Sequence, residues 1–236
     1  DYYFMLAEKA LLNDDIESAK DNFEKTIKMG GDSSFLRMRI SEISELYGEH
    51  EIAVEQLNKS IEMDPENVNA LMMHAELLIT EKKYKDALQE SIKVLELDPY
   101  NRDATSYKAA MLIKLGKIEE AQAVLDNYKQ AIPNDPFPWF YSGLILQLDH
   151  NKNMAEKNYL AALEIDPSYQ PAINGLITIY KSSNNKEDVI KKLESISNKI
   201  PAIKDEIIKL SIIEASKGKN RSRSEKYYEK AIKYID

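Results

Sequence analysis

The 236-residue chain has no cysteine, a single tryptophan and only three histidines. Without cysteine there can be no disulfide, no thiolate nucleophile and no cysteine-ligated zinc. That lack is mildly compatible with export to a periplasm or cell surface, and equally with the cytoplasm. Glycine (7) and proline (8) are also scarce, and no linker, low-complexity run or strand-like alternation interrupts the chain. No apolar run approaches the roughly 18 residues of a membrane span, and no signal-peptide pattern is present. A net charge of −8 argues against a general nucleic-acid binder. The charge is uneven: residues 1–101 carry 22 acidic and 11 basic side chains, whereas residues 102–236 carry 18 and 21.

Catalytic chemistry has little to draw on. His50, His74 and His150 lie far apart and form no H-E-x-x-H pair. His50 and His150 fall in predicted turns and His74 on a packed helix face, so all three read as structural or solvent-exposed. Carboxylates are abundant, but apolar surroundings single out no pair. Asn13-Asp14-Asp15 lacks the rest of a calcium loop and its terminal glutamate, and reads as a turn. Gly30-Gly31 is followed by no phosphate-loop lysine and reads as a helix joint. The sequons at Asn58 and Asn220 are short enough to arise by chance. Lys217–Arg223 holds four basic residues in seven and reads as a solvated loop, with phosphate contact as the alternative. No enzyme, metal site or cofactor is expected.

What is present is a period. In Pro136–Pro167 the residues Trp139, Gly143 and Leu146 share one face of a predicted helix, and Ala155, Tyr159 and Ala162 share one face of a second. The polar segment Asp149–Asn153 separates them, and Asp166-Pro167 stops the second helix, because proline cannot continue it. One constant step connects Pro65, Pro99, Pro133, Pro167 and Pro201. A step earlier stands Gly31, expected to end its helix through a left-handed C-cap. With Pro136 as position 1, the small residue at position 8 recurs as Ala7, Ser41, Ala75, Ala109 and Gly143. Its partner at position 20 recurs as Ala19, Ala53, Ala87, Ala121 and Ala155.

The order Trp, Gly, Ala, aromatic, Ala, Pro, with a period of about 34 residues, resembles the tetratricopeptide repeat (TPR). The resemblance implies an all-α fold: an α-solenoid of helix-turn-helix units forming a right-handed superhelix, with fourteen helices and no strands. It covers residues 1–236 as one solenoid domain of seven repeats, 1–33, 34–67, 68–101, 102–135, 136–169, 170–203 and 204–236. Both ends read as cut from a longer protein. Three repeats depart from the pattern. Arg37 replaces the usual aromatic of repeat two and predicts a looser contact. In repeat six, Ile177 and Val189 replace small residues and predict a hairpin that opens, and Gly175 should weaken its helix by about 1 kcal/mol. Repeat seven reads as carrying one inserted residue between Gly218 and Ser224.

In this family the first helices of successive repeats line a concave groove, so the resemblance implies a non-enzymatic scaffold that binds a partner peptide or helix there. The alternative is an assembly element that stacks on further repeats or self-associates through its ends. The implied groove residues of repeats one to three are Glu8, Met38 and Glu42, then Met72, Met73 and Glu76. Arg39 and Glu45 share their stripe. Tyr107 follows in repeat four, then Phe137, Phe140, Tyr141 and Leu144 in repeat five, and Asn174 and Thr178 in repeat six. Glu8, Glu42 and Glu76 form an acidic ladder, followed by a soft patch from Met72 to Tyr141. A partner with basic residues and aliphatic or aromatic anchors is therefore expected. Family members that hold the acidic tails of heat-shock chaperones place Lys and Asn where this chain has Met38 and Glu42, and a glutamate there would repel a carboxylate.

Overall fold

The computed structural model describes residues 2–182, 185–217 and 221–235. Among them are fourteen α-helices and no strand, the all-α solenoid class. The chain divides into two compact units, residues 1–116 and 117–236. The first holds α1 (Tyr2–Leu11), α2 (Ile16–Thr26), α3 (Ser34–Leu46), α4 (His50–Met63), α5 (Val68–Thr80), α6 (Tyr84–Leu97) and α7 (Arg102–Lys114). The second holds α8 (Ile118–Ala131), α9 (Phe137–Leu148), α10 (Lys152–Ile165), α11 (Gln170–Lys181), α12 (Lys186–Ile196), α13 (Lys204–Ser216) and α14 (Arg221–Ile232).

In the first unit the helix boundaries are written in side chains that recur once per repeat. Ser33, Asn67 and Asn101 each precede a helix and accept the backbone N–H three residues on, at 3.2, 3.1 and 2.9 Å. These caps satisfy donors that the first helical turn leaves unpaired. At the other end of each first helix the chain turns through a left-handed residue: Asp14 (φ 56°), Gly48 (77°), Lys82 (61°) and Gly116 (75°). The next N–H then closes back on the helix, as from Glu49 to Ser44 O at 2.7 Å and from Lys83 to Leu78 O at 2.8 Å, the pattern of a Schellman stop. The small pairs Ala7/Ala19, Ser41/Ala53 and Ala75/Ala87 are all buried, and Ser41 Oγ donates to Ala53 O at 2.8 Å.

Two expectations need correcting here. α2 runs into a π-turn, Ile27–Gly31, whose left-handed residue is Gly30 (φ 85°) and not Gly31. Gly31 is instead confined by space, since a Cβ there would lie 2.8 Å from Thr26 Cγ2. Arg37 is also far from a loose substitute for an aromatic. Its guanidinium forks onto Asp32 at 2.7 and 2.6 Å and reaches Gln56 Oε1 at 2.6 Å. Hydrogen bonds thus replace the missing ring contact, and the Arg37 pairing holds the Asp32 carboxyl below its usual range.

The second unit is organised around Tyr159 of α10, which is completely buried. A Cβ on Gly143 of α9 would stand 2.6 Å from its Cε1, and one on Gly175 of α11 would stand 2.6 Å from its Cζ. The ring therefore lies between two helix backbones that only glycine lets approach. Its hydroxyl donates to Gln147 Oε1 at 2.8 Å, and burial pushes its pKa up to about 12. Gly175 is thus a packing residue as well as a weak helix former. α11 and α12 approach each other much less closely than the antiparallel pairs α9–α10 and α13–α14, in keeping with the bulk of buried Val189 and half-buried Ile177. The residues carrying the suggested insertion in repeat seven, 218–220, lie outside the described residues.

Candidate functional site

The face expected to bind was built from glutamates, methionines and aromatics, and the structure sorts them into open and closed. Met38 is 7% exposed and packs with Leu57, Ala70 and Leu77, and Phe137 is 1% exposed. The Phe137 ring meets Tyr128 edge-on at 4.7 Å. Both expectations are corrected: these two are core residues. A stripe drawn on an ideal helix is broad, and its margins turn inward where the next hairpin packs.

The acidic ladder is corrected in charge. Arg39 of α3 donates to Glu8 Oε1 and Oε2 at 2.9 and 3.0 Å, and to Glu42 Oε2 at 2.8 Å. Glu8 first and Glu42 second raise the guanidinium's pKa. Two rungs of the ladder thus share one internal cation, and Glu76 stands exposed.

Around Glu76 the first unit forms a cleft of about 430 Å³ between α3 and α5. Leu46, Met73 and Leu77 supply apolar surface, and Glu42, Glu45 and Glu76 supply carboxylates, with Ser41 and Thr80 completing the lining. Glu42, Met73 and Glu76 were anticipated from the sequence. Leu46 and Leu77 were not, although Leu46 falls on the same helical stripe. Leu77 lies one residue to the side, where only the packing of α3 against its neighbours makes it a wall. Met72 and Tyr107 are half-buried.

Glu45 has a second engagement. His50, the first residue of α4, faces Glu45 Oε2 with Nδ1 at 2.9 Å and Glu81 Oε1 with Nε2 at 3.0 Å. Glu81 and then Glu45 raise the imidazole's pKa, and Glu81 itself is lowered by Lys83, 2.7 Å away, and by His50. His74 meets the buried Glu90 at 3.4 Å. Burial pushes Glu90 up, but the nearby His74 and the hydrogen bonds from Lys93 outweigh it and hold the carboxyl below its usual range. No group of three or more side chains among the described residues is arranged to hold a metal ion.

In the second unit Phe140, Tyr141 and Leu144 are half-buried. Phe140 stacks on Tyr159 at 5.9 Å and meets Tyr141 and Tyr169 edge-on at 5.1 and 6.1 Å. All three partners belong to the fifth repeat, and together they leave only part of the Phe140 ring open. Asn174 and Thr178 are exposed; Asn174 Oδ1 accepts from Gln170 Nε2 at 2.8 Å, and Thr178 Oγ1 donates to Asn174 O at 2.7 Å.

Residues 78–137 match the family model of the tetratricopeptide repeat. No curated protein matches the chain. A tetratricopeptide repeat protein from Parabacteroides merdae superposes with a TM-score of 0.71 at 13% identity, covering 100% of this chain and 93% of that one. PilF of Pseudomonas aeruginosa gives 0.61 at 16% identity over 85% of this chain and 91% of its own. YrrB, described as a TPR protein with an unusual peptide-binding site, gives 0.53 at 21% over 76% and 92%. The chain is a helical repeat array with the fold of TPR proteins. Proteins of this fold generally mediate protein–protein interaction as non-enzymatic scaffolds, with proteins or peptides as partners. No described helix is long and apolar enough to cross a membrane.

Proposed function

We propose that this chain is a non-enzymatic interaction scaffold, one array of seven repeats, that takes a cationic, amphipathic segment of a partner protein in the cleft between α3 and α5. The observation that carries this reading is the make-up of that cleft. Leu46, Met73 and Leu77 offer apolar surface beside the carboxylates of Glu42, Glu45 and Glu76. A lysine or arginine side chain matches both, its methylene stem lying on the apolar wall and its charged head among the carboxylates. A neighbouring aliphatic residue of the same segment would cover exposed Leu46. Within the second unit, Phe140, Tyr141 and Leu144 are a separate contact surface for an apolar side chain.

The test is fluorescence anisotropy of a labelled decapeptide of alternating lysine and leucine against the whole chain. Binding should weaken with added salt, since exposed ion pairs are screened, and should fall about two- to fivefold in Glu76→Gln, as expected for a partly exposed pair. A Met73→Ala substitution should weaken it further, because buried contact area more often carries affinity than rim charge. Binding that ignores both substitutions would remove the ligand from this cleft. Light scattering across concentration separates the assembly reading, which requires mass to grow with concentration.

A further inference from the structure

Both ring nitrogens of His50 face carboxylate oxygens, at 2.9 Å from Glu45 and 3.0 Å from Glu81. Only an imidazole carrying two protons can donate at both contacts; with one proton, a nitrogen lone pair confronts an oxyanion. Those carboxylates come from different repeats, Glu45 from α3 and Glu81 from the turn after α5. Glu45 also lines the cleft, so His50 touches the candidate site through one shared residue.

The charged surroundings define what the proton changes. Facing the ring are Glu45 and Glu81, and behind Glu81 stands Lys83 at 2.7 Å, itself near Asp86 of α6. Beside His50 in sequence are Glu49, which is bound by Lys20 of α2, and Glu51 of α4. The position at the start of α4 disfavours a cation, because the helix dipole is positive there; the two carboxylates offset this. With the imidazole doubly protonated, His50, Lys83, Glu45 and Glu81 sum to zero charge. Loss of one proton leaves them at −1. Lys83 remains on Glu81, so Glu45 is the carboxylate left without its cation, on the wall of the cleft.

We propose that His50 is a proton-operated brake on the cleft, neutralising Glu45 while its ring is doubly protonated and giving that carboxylate to a cationic partner segment when the ring loses a proton. The proposal rests on the reading of the cleft as the peptide site. Affinity for a cationic segment then rises with pH across the imidazole's titration, while lysines and free carboxylates, with ordinary pKa values near 10.4 and 4.3, keep their charge through most of it. By linkage, the bound segment makes the imidazole easier to deprotonate by the same factor.

The test uses the lysine–leucine decapeptide and the whole chain, at constant ionic strength between pH 5.5 and 8.0. Wild type should bind about three- to fivefold more tightly at pH 8.0 than at 5.5, the size expected for one screened charge. His50→Gln should lose most of that pH response and bind at every pH about as wild type does at pH 8.0. Independently of any substitution, the NMR titration midpoint of the His50 ring should fall by about half a unit when the peptide saturates the protein. Binding with equal pH response in wild type and His50→Gln, or a His50 midpoint unmoved by bound peptide, would overturn the brake and leave the cleft reading standing. Peptide that fails to bind at any pH would end both together.

Discussion

The ring of Tyr159 lies flat against the backbone of Gly175, near enough that a Cβ there would stand 2.6, 2.8 and 2.9 Å from three of its ring carbons. A buried aromatic of one repeat thus takes the space that any side chain would need on the next, which makes Gly175 a contact between repeats.

Gly175→Ala should therefore destabilise the second unit. Overpacking typically costs about 1–3 kcal/mol, against a gain of roughly 1 kcal/mol from alanine's helix propensity. Urea unfolding should show a net loss of about 1 kcal/mol. An alanine that left the midpoint unchanged or raised it would mean that the ring moves aside freely. Pairing Gly175→Ala with Tyr159→Leu should restore the propensity gain.

The left-handed turn residues make a graded prediction. Lys82 holds φ 61° and Gly48 holds φ 77°, and nothing approaches Gly48 within 4 Å, so conformation alone decides there. A non-glycine residue in this region costs about 1–2 kcal/mol, partly offset by the greater entropy glycine loses on folding. Lys82→Gly should raise stability by up to about 1 kcal/mol, and Gly48→Ala should lower it by a similar amount. Chemical denaturation of both variants checks the pair; equal signs would refute the account.

Arg39→Gln should act in opposite directions on stability and binding. It removes the cation shared by Glu8 and Glu42, and since all three side chains are about one-third exposed the loss of stability should stay within about 1 kcal/mol. Glu42 then joins the cleft wall unpaired, so a cationic probe should bind more tightly. A weaker complex in calorimetry would show that Arg39 itself contacts the ligand.

Stability should also carry a histidine signature. The folded pKa of His50 is raised above the ordinary value of 6.5. Its contribution is therefore fully present below pH 6.5 and is lost as the pH rises through the folded value. Glu81 is lowered, so its contribution is present above the ordinary glutamate range and disappears as acid is added. Wild type should thus lose stability relative to His50→Gln as the pH rises above about 6.5, within about 1 kcal/mol for so exposed a site. Parallel pH profiles for the two proteins would show that the imidazole contributes nothing.

Phe140→Ala should be felt as stability before it is felt as binding. The ring contacts Tyr141, Tyr159 and Tyr169, and truncating a half-buried aromatic costs about 2 kcal/mol, below the range for full burial. An unchanged unfolding midpoint would free Phe140 for a purely binding role.

How much of this was legible beforehand differs from residue to residue. The even spacing of Pro65, Pro99, Pro133 and Pro167 announced the hairpins, because a helix stop is a local property of the backbone. The small residues at Ser41 and Ala53 announced the close approach within each hairpin for the same reason: spacing along a helix settles which side chains share a face. Gly30 was mistaken for Gly31 because two adjacent glycines offer the same freedom, and the π-turn of α2 chooses between them.

Tertiary structure decided which members of a face remain open and what charge they carry. Met38 and Phe137 share stripes with open residues yet are buried, since burial depends on the reach of side chains from neighbouring helices. Glu8 and Arg39 belong to different repeats and meet only because their helices are packed together. Gly175, in sequence a weak point in a helix, became a seat for Tyr159 of the preceding repeat. The sequence by itself determined the repeating local geometry, through caps, left-handed turns and small-residue contacts that each involve a few neighbouring residues. The packed fold alone determined the cleft, its charge and the shared Glu45, because distances between side chains on different helices exist only once those helices have docked.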